Sequence, residues 1–313
     1  MAASTLRVAS IPFASRDGDN AYNAARIAAL LGDASREGIA LAVFPEKSLT
    51  GHANTAKLQR AQLDAIAEPL DGASVRTVAD AVDRTGVACG VGLIERAPDG
   101  RLFNSYAVCL PGGERHCHRQ LHAAGHRRIG SGDAFTVFDT AWGIRIAILI
   151  GSDSYPVENV RMTALMDATL LVAAHRRERP RDGIGVVDDG LDAAALSARA
   201  ADNGMFVAFA DSADGAGGID GRDAAVAMIV DPSGHVLATC NAAGAGAVAD
   251  LDVTLAGGSR GRRWLAARRP DLYGPLAQAP SNGRVQLPDS PRAVAKGAVA
   301  VAFAVVSRNR LMR

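Results

Sequence analysis

Three short stretches carry the residues best suited to chemistry. In LAVFPEKSLTG (41–51) an apolar strand runs into Pro45 and Glu46, a carboxylate able to accept and return a proton. HCHRQLHAAGH (116–126) holds four of the seven histidines, with His118, His122 and His126 spaced by four. On a helix that spacing would stack three imidazoles on one face, an arrangement suited to zinc with an open position for water. In a strand, His118, Gln120 and His122 would instead share one face. The third stretch, LIGSDSYPVENVR (149–161), is an apolar strand running into a polar turn before a helix, a common mount for a nucleophile. Its first turn residue, Gly151, has no side chain, and Ser152 is the nearest hydroxyl. Ser152 fits a turn-capping role better than a nucleophile's, since a base would have to be placed on it.

The elements that position these stretches alternate along the chain. Hydrophobic periodicity predicts strands at 6–12, 40–44, 87–94, 144–150, 168–173, 205–210 and 246–252, and helices at 20–37, 73–85, 157–166 and 190–203. Hairpins are predicted at 104–110 with 115–122, around PGGE, and across 225–239 around DPSG. Strands alternating with helices predict an α/β layered domain. The Pro-, Ser- and Gly-containing segment from 277 to 313 reads as a tail, either disordered or adding to a partner subunit.

Composition narrows the function classes. Apolar residues make up 48% of the 313 and the net charge is +1, so no field of one sign calls for nucleic acid or an anionic membrane. The apolar run AVAKGAVAVAFAVV (293–306) is broken by Lys296 and is shorter than the roughly 20 residues that span a bilayer. Cys89, Cys109, Cys117 and Cys240 show no CxxC spacing and read as free thiols, which together with the absence of a signal peptide pattern predicts a cytoplasmic protein. Lys47, Lys57 and Lys296 are the only lysines, so a mechanism that needs one has few candidates.

Taken together, LAVFPEKSLTG, HRQLH (118–122) and IGSDSYPVENVR (150–161) resemble the nitrilase superfamily, the carbon-nitrogen hydrolases. The resemblance continues through NSYAV (104–108), SARAADNGMFV (197–207), IVDPSGHVLA (229–238), DLD (250–252) and RRPDLYGPL (268–276). It implies a four-layer αββα sandwich over residues 5–276, paired into an eight-layer dimer, and a small amide, nitrile or carboxylate ligand, with no cofactor and no metal. It also implies a Glu base, a Lys that stabilises the oxyanion and a Cys nucleophile. Glu46 matches the base, whereas Gln120 stands at the lysine position and Gly151 at the cysteine position.

Without sulfur at 151 no thioester can form by the family's route, and period-two alternation turns Cys117 away from the face of Gln120. The expectation is a cleft that has lost its usual catalysis and serves as a ligand-binding or partner subunit. Glu46, Gln120, His122 and Ser152 would form its hydrogen-bonding wall, with Asp153, Tyr155 and His175 lining the same pocket. Arg161 is expected to pair with a carboxylate. The alternatives are hydrolysis by water activated at Glu46, by Ser152 or by a metal on the histidine cluster, and a purely structural role in a hetero-oligomer.

Overall fold

The computed structural model describes residues 5–51, 55–123, 127–176, 193–212, 227–240 and 246–278. His126, most of the 211–223 loop and the tail beyond residue 278 lie outside them. The chain divides into two compact units, Met1–Arg268 and Arg269–Arg313. In the second, two short 3-10 turns, Pro270–Leu272 and Gly274–Ala277, are described.

The first half of the larger unit runs β1 (Thr5–Ser10), α1 (Asn20–Arg36), β2 (Leu41–Val43), α2 (Arg60–Ile66), α3 (Ala73–Thr85), β3 (Ala88–Arg96), β4 (Leu102–Cys109) and β5 (Arg115–Arg119). The second half runs β6 (Thr136–Asp139), β7 (Arg145–Ile150), α4 (Val157–Leu165), β8 (Leu170–Ala174), α5 (Ala193–Asn203), β9 (Phe206–Ala210), β10 (Ala227–Val230), β11 (Val236–Cys240), β12 (Ala247–Asp252), α6 (Thr254–Gly258) and α7 (Arg260–Ala266). Two six-stranded mixed sheets result, ordered β12-β1-β2-β3-β4-β5 and β11-β10-β9-β8-β7-β6.

Alternation along the strands explains the layering. Ile146, Ile148 and Ile150 of β7 pack with Leu41, Val43 and Val8 of the other sheet in one core between the sheets. Their neighbours Ala147 and Leu149 face the other way, onto Val160 and Ala164 of α4 and Leu196 and Ala200 of α5. On the far side, Ile27 and Leu31 of α1 and Val75, Val78 and Val82 of α3 cover Ala42, Cys89 and Val91. The expected four-layer order, helix, sheet, sheet, helix, is therefore what the chain builds. Among the described residues no helix is long and apolar enough to cross a membrane.

Local signals agree with the elements. Asp19 accepts the N–H of Tyr22 at the start of α1, and α3 stops at Gly86, whose φ of 74° suits a residue without Cβ. The short elements α2, β6 and α7 carry too few periods to be read from the sequence. The strand expected over 115–122 ends at Arg119. Past it the N–H groups of Leu121 and His122 turn to the Asp153 carboxylate in place of a ladder partner.

Candidate functional site

The site gathers at the carboxyl ends of β2 and β7, where both chains leave their sheets. After β2, residues 45–50 fold over β3: Leu49 donates its N–H to the Gly92 carbonyl at 2.8 Å, and the Gly92 N–H reaches Ser48 Oγ at 3.0 Å. A Cβ on Gly92 would lie 2.2 Å from the Lys47 nitrogen, so the loop can sit this low only over a glycine. After β7, Gly151 takes φ +49° and opens the 3-10 turn Gly151–Ser154.

Glu46, Gln120 and Gly151 converge. Asn104 Nδ2 bridges Glu46 Oε1 at 2.7 Å and Gln120 Oε1 at 2.9 Å. Gln120 Nε2 donates to the Ile150 carbonyl at 3.2 Å and to Ser152 Oγ at 3.1 Å. The direction in which Gly151 would carry a side chain points between them: a Cβ there would stand 2.8 Å from Glu46 Oε2 and 3.2 Å from Gln120 Nε2. Glu46 and Gln120 are themselves buried, whereas Ser152 and Tyr155 are half-buried at the rim and the His122 side chain is exposed.

A lysine does reach the cleft although Gln120 stands at the family's lysine position: Lys47 Nζ lies 3.1 Å from Glu46 Oε1, with 8% of its side chain exposed. Its backbone takes φ +54°, a left-handed conformation that costs a non-glycine residue on the order of 1 kcal/mol and turns the side chain back toward Glu46. Lysine scarcity marked it as a candidate, but nothing in the sequence announced that turn. Asn104, the hub between Glu46 and Gln120, was also missed as a site residue; the signal for it was its place at the head of NSYAV.

The other expected residues fall into place around this centre. Ser152 Oγ donates to the His122 carbonyl at 2.8 Å while accepting from Gln120, so its hydroxyl is engaged in the turn. Asp153 is fully buried. Its Oδ1 accepts from the His122 N–H at 2.8 Å, and its Oδ2 from the Leu121 N–H at 3.1 Å and faces His118 Nε2 at 3.2 Å. These bonds lock the turn against the end of β5. The His175 carbonyl accepts the Glu46 N–H at 3.3 Å, and its ring packs edge-on to Tyr155, 6.2 Å between centroids.

The helical stacking of histidines does not occur, because His118 lies on a strand with its ring between Thr136 Oγ1 and Asp153 Oδ2. Among the described residues no group of three His, Cys, Asp or Glu side chains is placed to hold a metal. Arg161 bonds the main-chain carbonyl of Asp202 at 2.8 Å in place of the expected carboxylate. Burial raises the Cys109 thiol to about 11 and the Cys117 thiol to about 12, and Glu95, beside Cys117, adds to its shift. Neither is a thiolate at neutral pH, and Cys117 sits across β5 from Gln120.

Residues 7–260 match the family described as Carbon-nitrogen hydrolase. An (R)-stereoselective amidase from Pseudomonas sp. is 31% identical over 287 residues, covering 89% of this chain and 97% of that protein. A cysteine-to-alanine mutant of the amidase from Nesterenkonia sp. AN1, in complex with butyramide, superposes with a TM-score of 0.65 at 19% identity, covering 86% of this chain and 95% of that one. A Glu-to-Gln mutant of the same amidase carries the acetamide moiety of fluoroacetamide covalently on its active site cysteine, with a TM-score of 0.65 at 20% identity over the same shares of the two chains.

Proposed function

Because this chain belongs to the carbon-nitrogen hydrolase family, we propose that it binds a small carboxamide or carboxylate at the Glu46–Gln120–Gly151 cleft and does not hydrolyse it through a thioester. The observation that carries this reading is Gly151: the turn aims its missing side chain at Glu46 Oε2 and Gln120 Nε2, where a nucleophile would be activated. What remains is a polar wall in which Glu46 Oε2 faces the space at position 151 and can accept from an amide N–H, while Gln120 Nε2 is held by Ile150 and Ser152. The relatives act on or bind amides by their names, which supports the ligand class.

The test joins binding to turnover. Butyramide and butyrate are titrated calorimetrically into wild type and Glu46→Gln, and ammonia release is followed over a panel of amides. Binding lost in Glu46→Gln, with no ammonia from wild type, is the expected result. Ammonia release from wild type that Glu46→Gln abolishes overturns the non-hydrolytic part.

A second reading has one observation in its favour, the Lys47 ammonium beside Glu46. In it a water molecule in the space left by the missing thiol gives its proton to Glu46 Oε2 and attacks the amide carbon. Collapse of the tetrahedral centre returns that proton to the departing amine. The same ammonia assay separates the two readings.

A cytoplasmic setting and pairing with a second copy belong to the same proposal. The four free cysteines favour the first. The exposed Val157, Met162 and Trp264 side chains favour the second.

A further inference from the structure

Lys47 is held in the cleft at a cost that packing does not explain. A buried ammonium loses its hydration, and an ion pair away from water stabilises a fold no better than well-packed apolar residues of like volume. Its backbone adds left-handed strain, and a glycine beneath it, Gly92, is required to admit the loop. Lys57, by contrast, is exposed. Asn104 Nδ2 and Lys47 Nζ both sit on Glu46 Oε1, which leaves Oε2 turned toward position 151. The ammonium and the space beyond Gly151 thus lie on the two oxygens of one carboxylate.

We propose that Lys47 supplies the positive charge of this cleft, taking over from the neighbouring loop the role that a lysine at position 120 would fill, and that it stabilises negative charge on a ligand oxygen or a nucleophile placed beyond Gly151. This rests on the reading of the Glu46–Gln120–Gly151 cleft as the ligand site. Among the described residues, the other charged or titratable groups around position 151 include Glu46 itself, the Asp153–His118 pair behind the turn, His175 behind Glu46 with Arg176 next in the chain, and His122 and Tyr155 beside the turn. Among the described residues, Lys47 is the cationic side chain set against Glu46, whose other oxygen faces position 151.

A thiol introduced by Gly151→Cys reports that field directly. Its alkylation by acrylamide is followed by peptide mass spectrometry against pH, which separates residue 151 from the four native cysteines. In that background Lys47→Met and Lys47→Gln are each expected to slow alkylation at pH 7 by about tenfold and to move the profile to higher pH, because removing a unit charge from the far side of the carboxylate that faces residue 151 shifts a thiol by about a unit. Lys47→Arg should retain the rate, and adding Gln120→Lys to Lys47→Gln should restore it. Rates within about threefold of the parent in whichever neutral variant folds overturn the proposal. So does a slowed variant that neither Lys47→Arg nor Gln120→Lys matches, since that marks a packing role. The underlying cleft reading fails separately, if Glu46→Gln leaves the alkylation of Gly151→Cys unchanged.

Discussion

Replacing Gly92 by alanine should unseat the loop that carries both Glu46 and Lys47. The new Cβ would come 2.2 Å from the Lys47 nitrogen and 2.8 Å from the Glu46 carbonyl carbon, and both are backbone atoms that no rotamer change can move aside. The loop must retreat by about 1 Å, which strains a well-packed region by about 1–3 kcal/mol. That retreat stretches the Leu49 N–H to Gly92 carbonyl bond and the Gly92 N–H to Ser48 Oγ bond, each worth about 1 kcal/mol. Alanine's smaller unfolded-state entropy returns about 0.5–1 kcal/mol, so overpacking wins and the net loss is about 3 kcal/mol. For a domain of this size that is a fall in Tm of roughly 6–12 °C. The assay is a thermal scan, followed by titration of the folded variant with butyramide below its transition. Binding should weaken by about tenfold or more, since a 1 Å displacement of a positioned group removes its alignment. A Tm within about 2 °C of wild type together with unchanged binding would refute the argument that Gly92 sets the position of Glu46.

Gly151→Cys alone should lower stability by about 1–2 kcal/mol, because φ +49° is left-handed and the Cβ crowds Glu46 Oε2, a side-chain end that can shift; chemical denaturation measures it, and a loss above about 4 kcal/mol contradicts the flexible-end argument. Asp153→Asn puts an amide N–H₂ against donors from Leu121 and His122, and should cost about 2–4 kcal/mol in denaturant titration, with stability unchanged as the opposing result. Cys109 and Cys117 have folded values of about 11 and about 12, above the usual 9 of an exposed thiol. The native state therefore holds protons that the unfolded chain releases, so stability is full below pH 9 and falls as pH rises toward 12. Denaturant titrations at pH 8, 9.5 and 11 should show that decline, and Cys109→Ala with Cys117→Ala should make it shallower, the remainder coming from groups such as Cys89, which burial also raises. Labelling by a thiol reagent at pH 8 should likewise reach buried Cys109 only on unfolding.

The architecture was legible because burial imposes a period on the chain. Ile146, Ile148 and Ile150 against Ala147 and Leu149 announce a strand covered on both faces, and the same pattern recurs through the sheets. Short elements such as β6 have no room for a period, and the end of β5 was misplaced because a distant carboxylate, Asp153, took its N–H groups. The histidine spacing admitted two geometries, and only pairing with β4 made it a strand.

Residue types and their order in the chain determined the strand-turn-helix frame, the presence of a carboxylate at 46, and the missing side chain at 151. Tertiary structure decided which groups meet: Asn104 between Glu46 and Gln120, His118 on Asp153, and a lysine beside its own neighbour's carboxylate. The reason is physical. Composition and period report how a segment is buried, whereas a left-handed backbone at Lys47, allowed by an absent Cβ on a strand 45 residues away, is set by contacts that no local pattern records.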